Sequence, residues 1–327
     1  MRPALRMSGI ALAGALALAS PPDPALAQAR TVAKPVTHLV GPTRLLKRPS
    51  DAARVVRDGD IVEIDPGTYR DCAVWRASNL TLRGHEGIAH IADKTCQGKA
   101  LWVIDGDNTT VERIRFTGAA VPDKNGAGIR VTGGSLTVRD SAFEDNENGI
   151  LTGRAPGKAV TIERSHFERN GKCDPDCAHG IYIGAIERLI VRGSTFRDQR
   201  VGHHIKSRAR DTSVLDSTID DGKDGTASYL IDLPNGGNAL IARNKLRKGR
   251  LAQNTGTAIA YGSEGTLHPA TALRIEDNEF RSDLPTVTDF VGNRTTYRAH
   301  LSGNSLCGKV NPLSGPGEVR NSRPCKD

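Results

Sequence analysis

One short pattern recurs down most of this chain: an apolar residue, two residues of any kind, Ser or Asn, one more residue, then Phe, Ile or Leu. Its copies are Val138-Ser141-Phe143, Val160-Ser165-Phe167 (with Ile162 at the closer apolar position), Val191-Ser194-Phe196, Val214-Ser217-Ile219, Ile241-Asn244-Leu246, Ile275-Asn278-Phe280 and Leu301-Asn304-Leu306, with a weaker one at Val111-Ile114-Phe116. The Ser/Asn positions lie 24, 29, 23, 27, 34 and 26 residues apart. A period of that size means stacked units, each too small to bury its own apolar face. Within a unit, β-branched residues alternate with polar ones and Gly or Asn marks the corners, so the units are strand-rich. About 25 residues of short strands and tight turns make one coil of a parallel β-solenoid. The chain is therefore expected to be all-β. Stacked Ser and Asn at a corner satisfy each other and the backbone, and Phe116, Phe143, Phe167 and Phe196 are expected to stack in the core.

The flanks read differently. Arg2 and Arg6 precede the apolar run Ile10 to Ala19, and Ala25-Leu26-Ala27 offers a small-x-small cleavage site. This is the pattern of a secretory signal over residues 1–29, and the apolar run is short for a membrane span. The mature chain is expected to be exported, either periplasmic or secreted, and to act as a monomer without a membrane span. Its 6 cysteines fit an oxidising compartment and fall in local pairs, Cys72 with Cys96, Cys173 with Cys177 and Cys307 with Cys325. A net charge of +8 in an exported protein points to an acidic polysaccharide or an anionic envelope rather than to nucleic acid. One short helix is expected where Ser50 caps Asp51 to Arg57, ending at Asp58-Gly59. The resulting division is an N-terminal cap at 30–59, the solenoid at 60–310 and a C-terminal tail at 311–327.

The segment from Asp58 to Tyr69, DGDIVEIDPGTY, resembles the first coil of the right-handed parallel β-helix, pectate-lyase-like superfamily. There a short helix caps the open end, and the first strand runs from an Asp-Gly-Asp turn to Pro-Gly-x-Tyr. With the repeat, the resemblance covers about residues 40 to 310. It implies a single-stranded right-handed parallel β-helix. That fold hosts lyases, hydrolases, epimerases, esterases and adhesins, so function has to come from the site.

The richest candidate is the stretch from Gly202 to Arg210, GHHIKSRAR. As a strand it puts His204, Lys206, Arg208 and Arg210 on one face, and His203, Ile205, Ser207 and Ala209 on the other. Six such residues span roughly 20 Å at about 3.3 Å each. Neighbouring rungs Gly149–Thr152, Gly180–Ile183, Tyr229–Asp232 and Ile259–Gly262 should stack with it as one sheet. The outward ladder then reads Tyr182, His204 with Lys206, Tyr229 and Tyr261. Tyrosines stack on sugar faces and cations pair with carboxylates. Lys206-Ser207 also resembles a local motif of the alginate-lyase and chondroitinase-B group, which implies that Lys206 acts as a Brønsted base. That group places an arginine one coil later; here the matching strand has none.

Cleaving a uronate chain by β-elimination needs a neutralised carboxylate, a base and an acid. Lys206 is the candidate base. Arg208 with Arg210, or a bound Ca²⁺, is the candidate neutraliser, and Tyr229, Tyr182 or His204 the acid, with exchange of roles open. The acidic turn Asp220 to Asp224 offers carboxylates for Ca²⁺ but lacks the spacing of a calcium loop. No cofactor beyond that is implied. His203 and Asp232 are further candidate contacts. So are Glu264 and His268, which sit on the 34-residue excursion between Asn244 and Asn278. A hydrolase would need converging carboxylates, which this ladder lacks. The remaining alternatives are a uronate C5-epimerase and a non-catalytic polysaccharide-binding solenoid.

Overall fold

A computed structural model describes residues 34–325; the expected signal segment, residues 1–29, lies outside them. Among the described residues the chain winds into three parallel sheets of 12, 10 and 11 strands. Each coil gives one strand to each sheet, so residues one period apart become neighbours.

The repeat sets the register. Val111, Val138, Ile162, Val191, Val214, Ile241, Ile275 and Leu301 form one column of the 12-stranded sheet. In the copy that begins at Val160, Ile162 holds this position. Phe116, Phe143, Phe167, Phe196, Ile219, Leu246, Phe280 and Leu306 form a matching column in the 11-stranded sheet. The first four rings are stacked, with centroids 5.0, 4.8 and 4.5 Å apart. Between the two columns the chain turns through a left-handed residue. Asp140, Arg164, Asp216, Arg243 and Asp277 stand there with φ between 45° and 56°, and Gly193 and Gly303 fill the same position. A side chain in that region costs about 1–2 kcal/mol. Ion pairs between successive corners offset part of this, Arg164 to Asp140 at 2.8 Å and Arg243 to Asp216 at 2.7 Å.

The Ser/Asn ladder is continuous. Ser141 N–H donates to Ser165 Oγ, Ser165 N–H to Ser194 Oγ, and Ser194 N–H to Ser217 Oγ. Ser217, Asn244 and Asn278 donate in turn to Asn244, Asn278 and Asn304. Each buried corner N–H thus finds an acceptor on the next coil, as backbone burial requires.

Both ends depart from expectation. The helix covers only Pro49–Ala52, with Arg48 at its N-cap. Pro49 takes the first helical position, for which its fixed φ is suited, and the Ser50 N–H donates to Asp71 instead of starting the helix. Thr37–Val40 pairs with Ile61–Ile64 and so joins the solenoid ahead of the helix. At the other end, Val310–Ser314, Gly317–Arg320 and Arg323–Pro324 add one strand to each sheet, so the expected tail is another coil. The bridge Cys307–Cys325 closes it, and Cys72–Cys96 and Cys173–Cys177 are paired as expected. No helix among the described residues is long and apolar enough to cross a membrane.

Candidate functional site

The 10-stranded sheet carries one column of outward residues: Arg130, Leu151, Tyr182, Lys206, Asp232, Ala260 and Gly292 in successive rungs. A cleft of about 720 Å³ opens over its middle, lined by Tyr182, Lys206, Arg208, His203, His179 and Glu264, with the loop Asp123 to Asn125 and Ser228 at its margins.

Lys206 is the hub. Its strand, Ile205–Ser207, turns Ile205 and Ser207 inward; Ser207 Oγ is bonded to Thr212 Oγ1 in the interior. The Lys206 ammonium donates to Glu264 Oε1 at 2.9 Å and lies 3.7 Å from Asp232 Oδ2. Arg208 Nη2 donates to the other oxygen of Glu264 at 2.6 Å, Nη1 donates to Asn235, and Nε donates to the Tyr182 hydroxyl at 3.0 Å. Both cations hang over the Tyr182 ring, 5.5 and 5.6 Å from its centroid. One carboxylate is thus clasped between two cations that share a phenol. Burial pulls Glu264 up, but the bonds from Lys206 and Arg208 outweigh it and hold the group below the ordinary carboxylate range. Asp232 is deeper, and burial pushes it up to about 6 despite Lys206.

His203 is stacked between His179 and Tyr229, with centroids 4.7 and 4.9 Å away. The Tyr229 N–H donates to His203 Nδ1, and the His203 N–H donates to His179 Nδ1. A ring nitrogen that accepts from the backbone carries no proton, so both neutral rings present Nε2–H. Burial, reinforced by Lys206 and Lys248, lowers His203 to about 3; His179 is lowered as well, by burial and then by His203. These histidines are donors and ladder rungs, not bases.

Several expected site residues lie elsewhere. His204 is buried and hydrogen-bonded through Nε2 to Asp221 Oδ1 at 2.8 Å rather than lying beside Lys206 in the cleft. It precedes the paired strand, and the turn at Gly202 (φ 71°) breaks the alternation that predicted an outward ring. Tyr229 likewise lies before its strand; Asp232, not Tyr229, follows Lys206 in the column. Tyr261 pairs with Leu233, points inward, and satisfies its hydroxyl on Gly237 O at 2.6 Å. Arg210 lies past the corner and pairs with Glu187 at 2.9 Å. His268 holds the Pro234–Gly237 turn through its backbone, away from the cleft. In the acidic turn, Asp221 is committed to His204. Among the described residues no cluster of three or more His, Cys, Asp or Glu is arranged to hold a metal ion.

The family model for the right-handed beta helix region matches residues 70–246. The chain belongs to this right-handed β-helix family. Solved structures similar to this β-helix include an alginate lyase from Paenibacillus sp. str. FPU-7, with TM-score 0.65 and 17% identity over 88% of this chain and 98% of that one. Another is ORF18 of Geobacillus virus E2, with TM-score 0.55 and 16% identity over 83% and 53%. A third is the pectate lyase Pel9A, with TM-score 0.52 and 14% identity over 88% and 79%. At such identities the likeness is one of fold. No curated protein matches this β-helix significantly in sequence.

Sequence reasoning missed His179 and the loop at Lys124. The signal for His179 was present: counting two residues back from each paired isoleucine of the sheet gives Asn148, His179, His203 and Tyr229. The His179 N–H donates to Asn148 Oδ1, so this column is a second polar ladder. The Lys124 loop carries no such periodic mark.

Proposed function

We propose that this β-helix is an exported lyase that cleaves a uronate-containing polysaccharide by β-elimination. One observation carries the reading: Lys206 and Arg208, both over the Tyr182 ring, hold a single carboxylate, that of Glu264. In the substrate complex a uronate carboxylate takes the place of Glu264, whose loop lies in the long excursion between coils. Neutralised by Arg208 and Lys206, that carboxylate makes the neighbouring C5 proton acidic. Tyr182, entering the step as the phenolate, takes the proton on the oxygen that Arg208 Nε binds, and becomes the phenol. The electron pair forms the C4–C5 double bond, the C4–O bond breaks, and the Lys206 ammonium protonates the departing oxygen. Asp232, 3.7 Å from the ammonium, remains beside it when Glu264 is displaced. The roles of Lys206 and Tyr182 are thereby exchanged relative to the motif-based expectation.

The test is to incubate the mature protein with alginate, polygalacturonate, glucuronan and dermatan sulfate and follow the ultraviolet absorbance of unsaturated uronate. A product lost in Lys206→Ala and Tyr182→Phe supports the lyase. Altered uronate stereochemistry by NMR without unsaturation would replace it with an epimerase. Retention on the polymer with neither change would leave a binding protein. Because Arg208 is assigned the neutralising charge, cleavage should persist in EDTA; loss on chelation would restore Ca²⁺ to that role.

A further inference from the structure

Arg130 stands in the same outward column as Lys206, three rungs toward the N-terminus. At about 4.8 Å per strand the separation is roughly 14 Å. Its stem lies between Val103 and Leu151, both buried in a small apolar cluster on the outer face of the sheet. Other partly buried arginines of the solenoid are compensated: Arg83, Arg115 and Arg139 each pair with a glutamate one rung away. The rung neighbours of Arg130 are apolar, and among the described residues its guanidinium has no ion-pair or hydrogen-bond partner. Burial lowers its pKa, opposed only by the more distant Asp123 and Tyr182. An uncompensated, partly buried guanidinium costs stability and has no structural duty here.

Lys124 lines the cleft on the adjoining loop and is also unpaired among the described residues. That loop is fixed. Glu147 Oε2 accepts the N–H groups of Val121 and Gly126 at 3.0 and 2.7 Å, and Asn148 Nδ2 donates to Asn125 Oδ1 at 3.1 Å. Lys124 is therefore presented by fixed backbone at one end of the cleft, with Asp123 also on its lining, and Arg130 stands in the outward column roughly 14 Å from Lys206, near enough to Asp123 and Tyr182 to feel their charge.

We propose that Arg130 and Lys124 form a second carboxylate-binding subsite, so that the ligand is a polyanionic sugar chain lying across several coils toward the N-terminal end. The proposal rests on the uronate reading of the cleft but adds the length and direction of the ligand. It predicts that affinity depends on chain length through Arg130.

The test is calorimetric titration of the Tyr182→Phe protein, with and without Arg130→Met, using oligouronates of two to six residues prepared from alginate and from polygalacturonate. Methionine keeps the stem packed between Val103 and Leu151, and a thermal melt checks the fold. Affinity should rise at least tenfold from dimer to hexamer in the parent, and Arg130→Met should abolish that gain while leaving dimer affinity unchanged. Identical length dependence in both proteins overturns the subsite and leaves the uronate cleft standing. Absence of binding to any oligouronate by the parent overturns both.

Discussion

His204 and Lys206 are two residues apart on one rung, and they belong to different parts of the molecule. His204 is 1% exposed and faces a fully buried Asp221, whereas Lys206 meets a Glu264 side chain that is 44% exposed. The first pair is buried, so its polar atoms must satisfy each other. The second is open, so a ligand carboxylate can replace its partner. The difference arises from position in the coil. Alternation of faces holds within Ile205–Ser207, where the strand is paired on both sides, and fails one residue earlier, at the corner.

The largest expected effect lies at the open pair. Lys206→Ala removes the proton donor and one of the two carboxylate-binding cations, so turnover should fall about 10³–10⁴-fold. Tyr182→Phe should fall comparably. Neither should move the thermal midpoint by more than about 2 °C, a shift worth roughly 1 kcal/mol or less for a chain of this size. Initial rates of unsaturated product and a melt of the same sample check both halves. A Lys206→Ala protein that keeps a tenth of the rate would erase the distinction between the two pairs.

His204→Ala should do the reverse. It leaves the buried Asp221 side chain without its hydrogen-bond partner, which typically costs about 1–3 kcal/mol. Urea unfolding should show the loss, while the protein that remains folded cleaves at nearly the wild-type rate. Full stability with lost turnover would move His204 into the chemistry with Lys206.

The contrast also explains what was readable beforehand. The Ser/Asn and Phe columns were legible because each coil repeats one corner, and a mistake in one copy is corrected by the others. Lys206, Tyr182 and Asp232 were legible because they occupy a paired strand. Tyr261 was not: nothing in the local pattern shows that its hydroxyl has an acceptor at Gly237 O, which is what allows so large a polar side chain to turn inward. Tyr229 and Arg210 were misplaced at corners, where the period of two stops. Glu264 and His268 share one excursion, and only packing separates the one that returns to the cleft from the one that braces a turn.

His203 falls between the two pairs, since it lines the cleft yet acts as a ladder rung, and its titration shows which behaviour dominates. In the folded protein its pKa is lowered by burial, with Lys206 and Lys248 adding to the effect, to about 3, against 6.5 for a free histidine. The unfolded chain therefore binds a proton between pH 6.5 and about 3 that the native state refuses. The stability tied to the neutral ring is full above pH 6.5 and is lost as pH falls through that window. His203→Gln has no such titration. Asp232 titrates with the opposite sign in both proteins, and glutamine keeps a side-chain N–H for the Asp232 oxygen that lies 3.4 Å from His203 Nε2. Between pH 7 and 4.5, wild type should lose on the order of 2 kcal/mol more than His203→Gln in urea unfolding. Parallel losses would mean that His203 already takes up its proton in the native state. The backbone bond from Tyr229 to Nδ1 would then be expendable, and His203 would join Lys206 as a group free to exchange partners with a ligand.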